Sequence, residues 1–276
     1  MANQSDTPRV APHASTNISR SEISEGFTNI LYGFDYANFQ NVSASHPLGE
    51  DVPQVWNLMF DGSSYAQLIM EFEDGVIVAD APLQQSEHTI EWVRQNLKKP
   101  ITHLWVSYNL VMIRDNVSRY NKSLTVVLKP SHHHRDHTGD AAKFVNIGAS
   151  IIVPEMAERY WSNIPNVSLI TYTYVSEVYR VKFTLARPNL KLSDERPFVY
   201  KDDKIQAWFM WREEAVHASD WSYTMVTKNC PSDDDNMVVF NADAWSPGTN
   251  AIRFDQGFAR QWLDQVFDDG LSKSAM

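Results

Sequence analysis

The chain has 276 residues, 43% of them apolar and 21% charged, which is enough for a sizeable core in one large domain or two small ones and excludes collagen-like, coiled-coil and wholly disordered chains. Lys and Arg number 24 against 34 Asp and Glu, so the net charge is −10, and an acidic surface of this kind disfavours a general nucleic-acid binder. No apolar run approaches the roughly 20 residues of a membrane span.

The amino-terminal stretch holds no apolar signal region, so a cytoplasmic protein is expected, with no membrane partner. Cys230 is the only cysteine, which excludes an intrachain disulfide and a cysteine-based zinc knuckle; the acidic loop beside it disfavours a thiolate, so it is read as inert. Sequons at Asn17, Asn41 and Asn166 carry no weight without a signal.

Residues 1–25 are polar and aperiodic and read as a disordered leader; packed structure is expected from residue 26 onward. Val55–Phe60 and Tyr65–Phe72 are apolar runs separated by the turn Asp61-Gly62-Ser63-Ser64. Val76–Ala79 reads as a buried strand ending at Asp80. Ser86 is a candidate cap for a helix over 87–98, with Ile90, Val93 and Leu97 at helical spacing and Pro100 beyond its end. Ile101–Trp105 and Leu124–Leu128 are both strand-like, and Asp140–Ile147 reads as a short helix closed by Gly148. Ser150–Val153 is a strand, and Pro154 suits the first position of a helix through Trp161.

Farther on, Phe198–Lys201 and Ile205–Trp211 flank Asp202-Asp203 as a hairpin, and Trp221–Thr227 and Met237–Phe240 flank an acidic loop over 232–236. A helix over about 251–267 follows, with Phe254, Phe258, Trp262 and Val266 inward. Strands alternating with helices in each half predict a layered fold of the α/β (α+β) kind.

The most informative stretch is Pro130-Ser-His132-His133-His134-Arg135-Asp136-His137-Thr138-Gly139-Asp140, where four of the nine histidines fall within six residues. At the end of a strand, such a loop can send side chains 132 and 134 to one divalent ion and 136 and 137 to another. A merely His-rich polar loop would not need this setting, an apolar strand before the cluster and a glycine and helix after it.

The spacing His132-x-His134-x-Asp136-His137 resembles the H-x-H-x-D-H signature of the metallo-β-lactamase superfamily, and the likeness covers about residues 55–268. It implies a four-layer αββα sandwich over 26–276, and a metal site at the sheet edges. Val76–Asp80 resembles the strand whose terminal aspartate braces the metal loop. His217, in Ala215-Val-His-Ala-Ser-Asp-Trp221, resembles a lone ligand preceding a strand, and Asp243 the carboxylate that bridges two metals.

The resemblance therefore implies His132, His134 and His217 on a first ion, Asp136 and His137 on a second, Asp243 shared, and Asp80 orienting the loop from behind. The implied cofactor is zinc, one or two ions, with iron and manganese left open. Plainer roles stay open too: Asp80 and Asp220 as turn residues, His217 on the surface, Asp243 as a helix cap.

Three departures from the family pattern stand out. Gly139 is followed by Asp140 where the family has a second glycine. No histidine follows Asp243, so the second site is one ligand short, as it would be in a chain lacking the last strand of the fold. Residues 106–129 form an atypical insertion with one acidic residue and no glycine, read as a translated, unspliced intron or as a true loop insertion. Only one of Ile101–Trp105 and Leu124–Leu128 can fill the strand before the motif.

The expected chemistry is hydrolysis of an ester, thioester or lactone carbonyl in a small-molecule substrate by a metal-bound hydroxide, with Asp136 as the catalytic carboxylate. Trp208, Trp211, Trp221 and Trp245 bracket His217 and Asp243 in sequence; Trp211, Trp221 and Trp245 are candidate walls of an apolar pocket, with core packing the competing reading. The alternatives are a degenerate or truncated, non-catalytic protein of the same fold, and an iron-dependent dioxygenase.

Overall fold

The computed structural model describes residues 38–63, 65–106, 135–173, 198–211, 221–232, 235–241, 260–261 and 263–264, with backbone alone at 135 and 136. Seven strands form one mixed sheet in chain order: β1 (Asn38–Ser45), β2 (Val55–Asp61), β3 (Ala66–Glu71), β4 (Val76–Ala79), β5 (Ile101–Trp105), β6 (Ser150–Pro154) and β7 (Leu169–Tyr172). Neighbours from β1 to β4 are antiparallel, and those from β4 to β7 are parallel.

Parallel neighbours need crossovers. Helix α1 (Ser86–Asn96) joins β4 to β5, helices α2 (Arg135–Thr138) and α3 (Ala141–Asn146) lead into β6, and a 3-10 turn over Glu155–Ala157 with helix α4 (Glu158–Trp161) leads toward β7. A second sheet of four antiparallel strands has the order β11–β10–β9–β8, with β8 (Phe198–Lys201), β9 (Ile205–Trp211), β10 (Ser222–Lys228) and β11 (Met237–Asn241).

Alternate residues of the large sheet go to opposite cores, as the two-residue period of a strand requires. Leu58, Ile69, Val76, Val78, Leu104, Ile151 and Val153 pack with Val93 of α1, Phe144 and Val145 of α3 and Trp161 of α4. Leu68, Met70, Ile77, Ala79, Trp105 and Ile152 face the second sheet and pack with Ile205, Ala207, Phe209, Trp211 and Val226. A strand buried on both faces reads as the unbroken run Val76-Ile-Val-Ala rather than as an alternating one. The protein is thus a mixed α+β fold of two packed sheets with helices on the outer face of the larger one. Met210, Tyr223 and Met225, on the other side of the second sheet, are buried as well.

Local details adjust the sequence-based expectations. Ser86 does not cap α1: the helix starts at Ser86 itself, and its hydroxyl donates to Pro82 O at 2.9 Å. Pro154 ends β6 with φ −57° and ψ 144° and stands just before the 3-10 turn, so the expected helix through Trp161 is a 3-10 turn followed by a single α turn. Gly148 closes α3 as expected. Its φ is +95°, its N–H reaches Val145 O, and Ala149 N–H reaches Phe144 O, the paired bonds that satisfy a helix's last carbonyls. Strand β1 escaped the sequence reading because Asn38–Ser45 is polar and largely exposed at a sheet edge.

Of the two candidates for the strand before the motif, Ile101–Trp105 occupies the place between β4 and β6. Val106, the first residue of the atypical segment, is fully buried among the outer-core residues. The leader, residues 107–129 with Leu124–Leu128, and most of the expected last helix lie outside the described residues. Among the described residues no helix is long and apolar enough to cross a membrane.

Candidate metal centre

The centre is built on the corner where β4 ends. Asp80 adopts φ +64°, a left-handed conformation that aspartate tolerates better than most residues. Two neighbouring segments fix that corner through the backbone. Asp80 N–H donates to Trp105 O at 2.9 Å, and Ala81 N–H donates to His137 O at 2.7 Å. Asp140 N–H returns to Ala81 O at 3.1 Å. The end of β5 and the start of the α2–α3 segment are thus both pinned to the Asp80–Ala81 dipeptide.

The side chains complete the arrangement. His137 Nδ1 lies 3.0 Å from Asp80 Oδ2, and the two residues are 5% and 2% exposed. A carboxylate only accepts, so the imidazole donates its Nδ1–H; in the neutral ring Nε2 then carries the lone pair. The rings of Tyr65 and His137 meet edge to face, at a centroid distance of 5.1 Å and an interplanar angle of 78°.

Beneath the corner lies a buried polar cluster that the sequence reading missed. Gln67, the second residue of β3, donates from Nε2 to Asp80 O at 2.9 Å. Its Oε1 accepts from Gln85 Nε2 at 2.8 Å and from the Thr89 hydroxyl. Gln85 Oε1 in turn accepts from Ser63 Oγ at 2.6 Å. Gln67, Gln85 and Thr89 are fully buried. The available signal was the lone glutamine inside the apolar run Tyr65–Phe72, since a buried polar side chain must be hydrogen-bonded.

Asp140, where the family pattern has glycine, has an ordinary backbone with φ −104° and does not need one. Burial pushes its carboxyl above the ordinary aspartate value, and Lys143 and the Gln84 backbone oppose this only in part. Lys143 Nζ bridges Asp140 at 3.1 Å and Glu87 at 3.0 Å, tying the segment after His137 to α1.

Of the sequence-predicted site residues, the structure brings Asp80 and His137 together. His132, His134, His217, Asp243, Trp245 and the side chain of Asp136 lie outside the described residues. Trp211 and Trp221 are buried, and Trp211 belongs to the core between the sheets. Trp211 pairs with Ser222 and Tyr223 with Asn241, so β9 and β11 end, and β10 begins, at one end of the second sheet. There Phe209 and Phe240 meet the ring of Trp105, at 5.6 Å and 6.2 Å between centroids. That end of the second sheet thus lies beside the terminus of β5.

His137 is the one residue of the expected ligand set whose side chain is described, and imidazole is a donor that zinc accepts. A neutral imidazole whose Nδ1–H is held by a buried carboxylate is the usual form of a histidine ligand. Among the described residues no group of three or more His, Cys, Asp or Glu is placed to hold a metal by itself.

No protein-family model and no curated protein matches the chain. Its fold is similar to solved metallo-β-lactamases. A Cronobacter sakazakii enzyme with an altered HARLDQ motif shares 12% identity over 79% of this chain and 72% of its own, with a TM-score of 0.43. One from Pontibacter korlensis shares 12% identity over 82% of this chain and 86% of its own, with a TM-score of 0.43. One from Novosphingobium pentaromativorans shares 14% identity over 81% of this chain and 71% of its own, again with a TM-score of 0.43. What bears on function is the Asp80–His137 corner and the motif around it, not these distant likenesses.

Proposed function

We propose that the chain is a zinc-dependent hydrolase of the metallo-β-lactamase type, acting on an ester, thioester or lactone carbonyl of a small molecule. The observation that carries this reading is the buried bond between Nδ1 of His137, the last histidine of an H-x-H-x-D-H sequence, and Oδ2 of Asp80 at the left-handed end of β4. The residues that would hold metal are His132, His134 and His217 for one ion, Asp136 and His137 for another, with Asp243 between them. When bound, zinc would supply polarisation of a carbonyl and an activated water near neutral pH.

The chain's own residues do the rest. Asp80 keeps the His137 proton on Nδ1 and fixes the ring plane. Tyr65 packs against that ring, and the backbone bonds of Asp80 and Ala81 set the loop's position relative to β5. Asp136 would orient the attacking water and carry a proton to the leaving group. No serine or cysteine nucleophile is required.

The test is elemental analysis of the purified chain, then turnover of a small panel of esters, thioesters and lactones by wild type and His137→Ala. Bound zinc with turnover that His137→Ala abolishes supports the proposal. Zinc without turnover favours a non-catalytic metal-binding protein, and bound iron with oxygen uptake favours a dioxygenase; either result overturns hydrolysis.

A further inference from the structure

Gln67 is a fully buried amide on a central strand, yet it belongs to no expected ligand set. Its carbonyl is held by two donors, Gln85 Nε2 and the Thr89 hydroxyl, which leaves the amide in one orientation with Nε2 aimed at Asp80 O. The Asp80 carbonyl belongs to a residue whose backbone is left-handed and whose carboxylate meets His137. Gln85 and Thr89 lie at the start of α1, so the helix is coupled through Gln67 to the orientation of Asp80.

We propose that Gln67 is a positioning residue of the metal centre: clamped by Gln85 and Thr89, it holds the Asp80 peptide so that the Asp80 carboxylate fixes the His137 imidazole as its Nδ1–H tautomer for zinc. This rests on the reading of His137 as a ligand. Gln67 touches no ligand itself and acts through Asp80.

Two variants separate its parts. Gln67→Glu keeps an acceptor for Gln85 and Thr89 but loses the donor to Asp80 O; Gln67→Met removes both functions at similar length. Thr89→Val is the intermediate case, since it loosens the clamp by one bond and leaves the Gln67–Asp80 bond in place. Two readouts are made on each: ring nitrogen chemical shifts of His137 in the metal-free protein, and zinc affinity by chelator competition. Wild type should show a single Nδ1–H tautomer and protected Gln67 side-chain amide protons. Gln67→Glu and Gln67→Met should show mixed tautomers and about 10-fold weaker zinc binding, with Thr89→Val closer to wild type.

Folded Gln67 variants with an unchanged tautomer and zinc affinity within about twofold of wild type would overturn the proposal, as would rapidly exchanging Gln67 amide protons in wild type, a measurement that needs no variant to fold. A failure of the underlying reading looks different. If His137→Ala leaves zinc affinity unaltered, His137 is not a ligand and the metal half of the proposal falls, whatever the Gln67 variants do to the tautomer.

Discussion

Asp80 and His137 are 57 residues apart in the chain, and their side chains meet at 3.0 Å in a pocket that excludes solvent from both. The contact runs between the end of one central strand and the first turn of the segment that follows the next. A buried carboxylate is tolerated here because it is bonded to an imidazole N–H and its backbone is bonded on both sides.

Asp80→Asn therefore tests the centre without dismantling the corner. Asparagine adopts the left-handed conformation as readily as aspartate, so the turn should survive. The neutral amide is a weaker acceptor and no longer raises the basicity of the ring. Zinc affinity, measured by chelator competition, should fall about 10-fold to 100-fold while cooperative unfolding is retained. A variant that binds zinc as wild type does would remove Asp80 from the centre.

The backbone bonds of Asp80 and Ala81 make a second expectation. Trp105 O and His137 O are bonded to adjacent residues, so the two carbonyls lie no more than about 10 Å apart, two hydrogen bonds and one residue step. Residues 130–134 alone can cover such a gap. Deletion of residues 107–129, which keeps the buried Val106, should yield a folded protein with a cooperative melt, its stability changed by only about 1–2 kcal/mol of loop-closure entropy. A deletion variant that fails to fold would show the segment to be part of the core.

The ease of reading this chain varied with the kind of signal. The runs Val76–Ala79, Ile101–Trp105 and Ile205–Trp211 announced buried strands because continuous apolar sequence at strand length has few other uses. Gly148 and the Asp202-Asp203 turn were legible because backbone geometry there demands particular residues. Asp80 was placed behind the metal loop by resemblance, but its left-handed backbone was not foreseeable, since aspartate also suits ordinary turns. The Gln67–Gln85–Thr89 cluster joins residues distant in sequence, and local pattern carries no information about such pairings. Pro154 misled because its fixed φ suits the residue before a helix as well as the first one inside it.

At the far end of the sheets, His103 offers a pH-dependent stability test. Burial pushes its pKa below the ordinary 6.5, and the charge of Asp74 only partly opposes this. The ring sits 5.0 Å from that of Tyr200, with Nδ1 at 3.0 Å from Thr102 Oγ1. The unfolded chain thus binds the proton more readily than the folded one. Its stabilising contribution is complete above pH 6.5 and is lost as pH falls through the folded-state value. His103→Leu should flatten the acid limb of denaturant midpoints measured from about pH 8 to about pH 5. An acid limb as steep as that of wild type would place the sensitivity elsewhere.

Tyr200 governs the opposite limb. Burial first, then the hydrogen bond from its hydroxyl to Asp74 Oδ2 at 2.8 Å, then the charges of Asp74 and Asp202 push its pKa from 10.0 up to about 12. The folded state resists losing this proton, so the contribution is intact below pH 10.0 and disappears as pH rises toward about 12. Tyr200→Phe removes the hydrogen bond and should cost no more than about 1 kcal/mol at neutral pH, because the site is partly exposed. It should also remove the alkaline loss, so that the two stability curves converge as pH approaches the folded-state value. The measurement is denaturant unfolding of both proteins at alkaline pH, with tyrosinate absorbance following the titration. If the curves stay parallel throughout, Tyr200 does not titrate as its pairing with Asp74 requires.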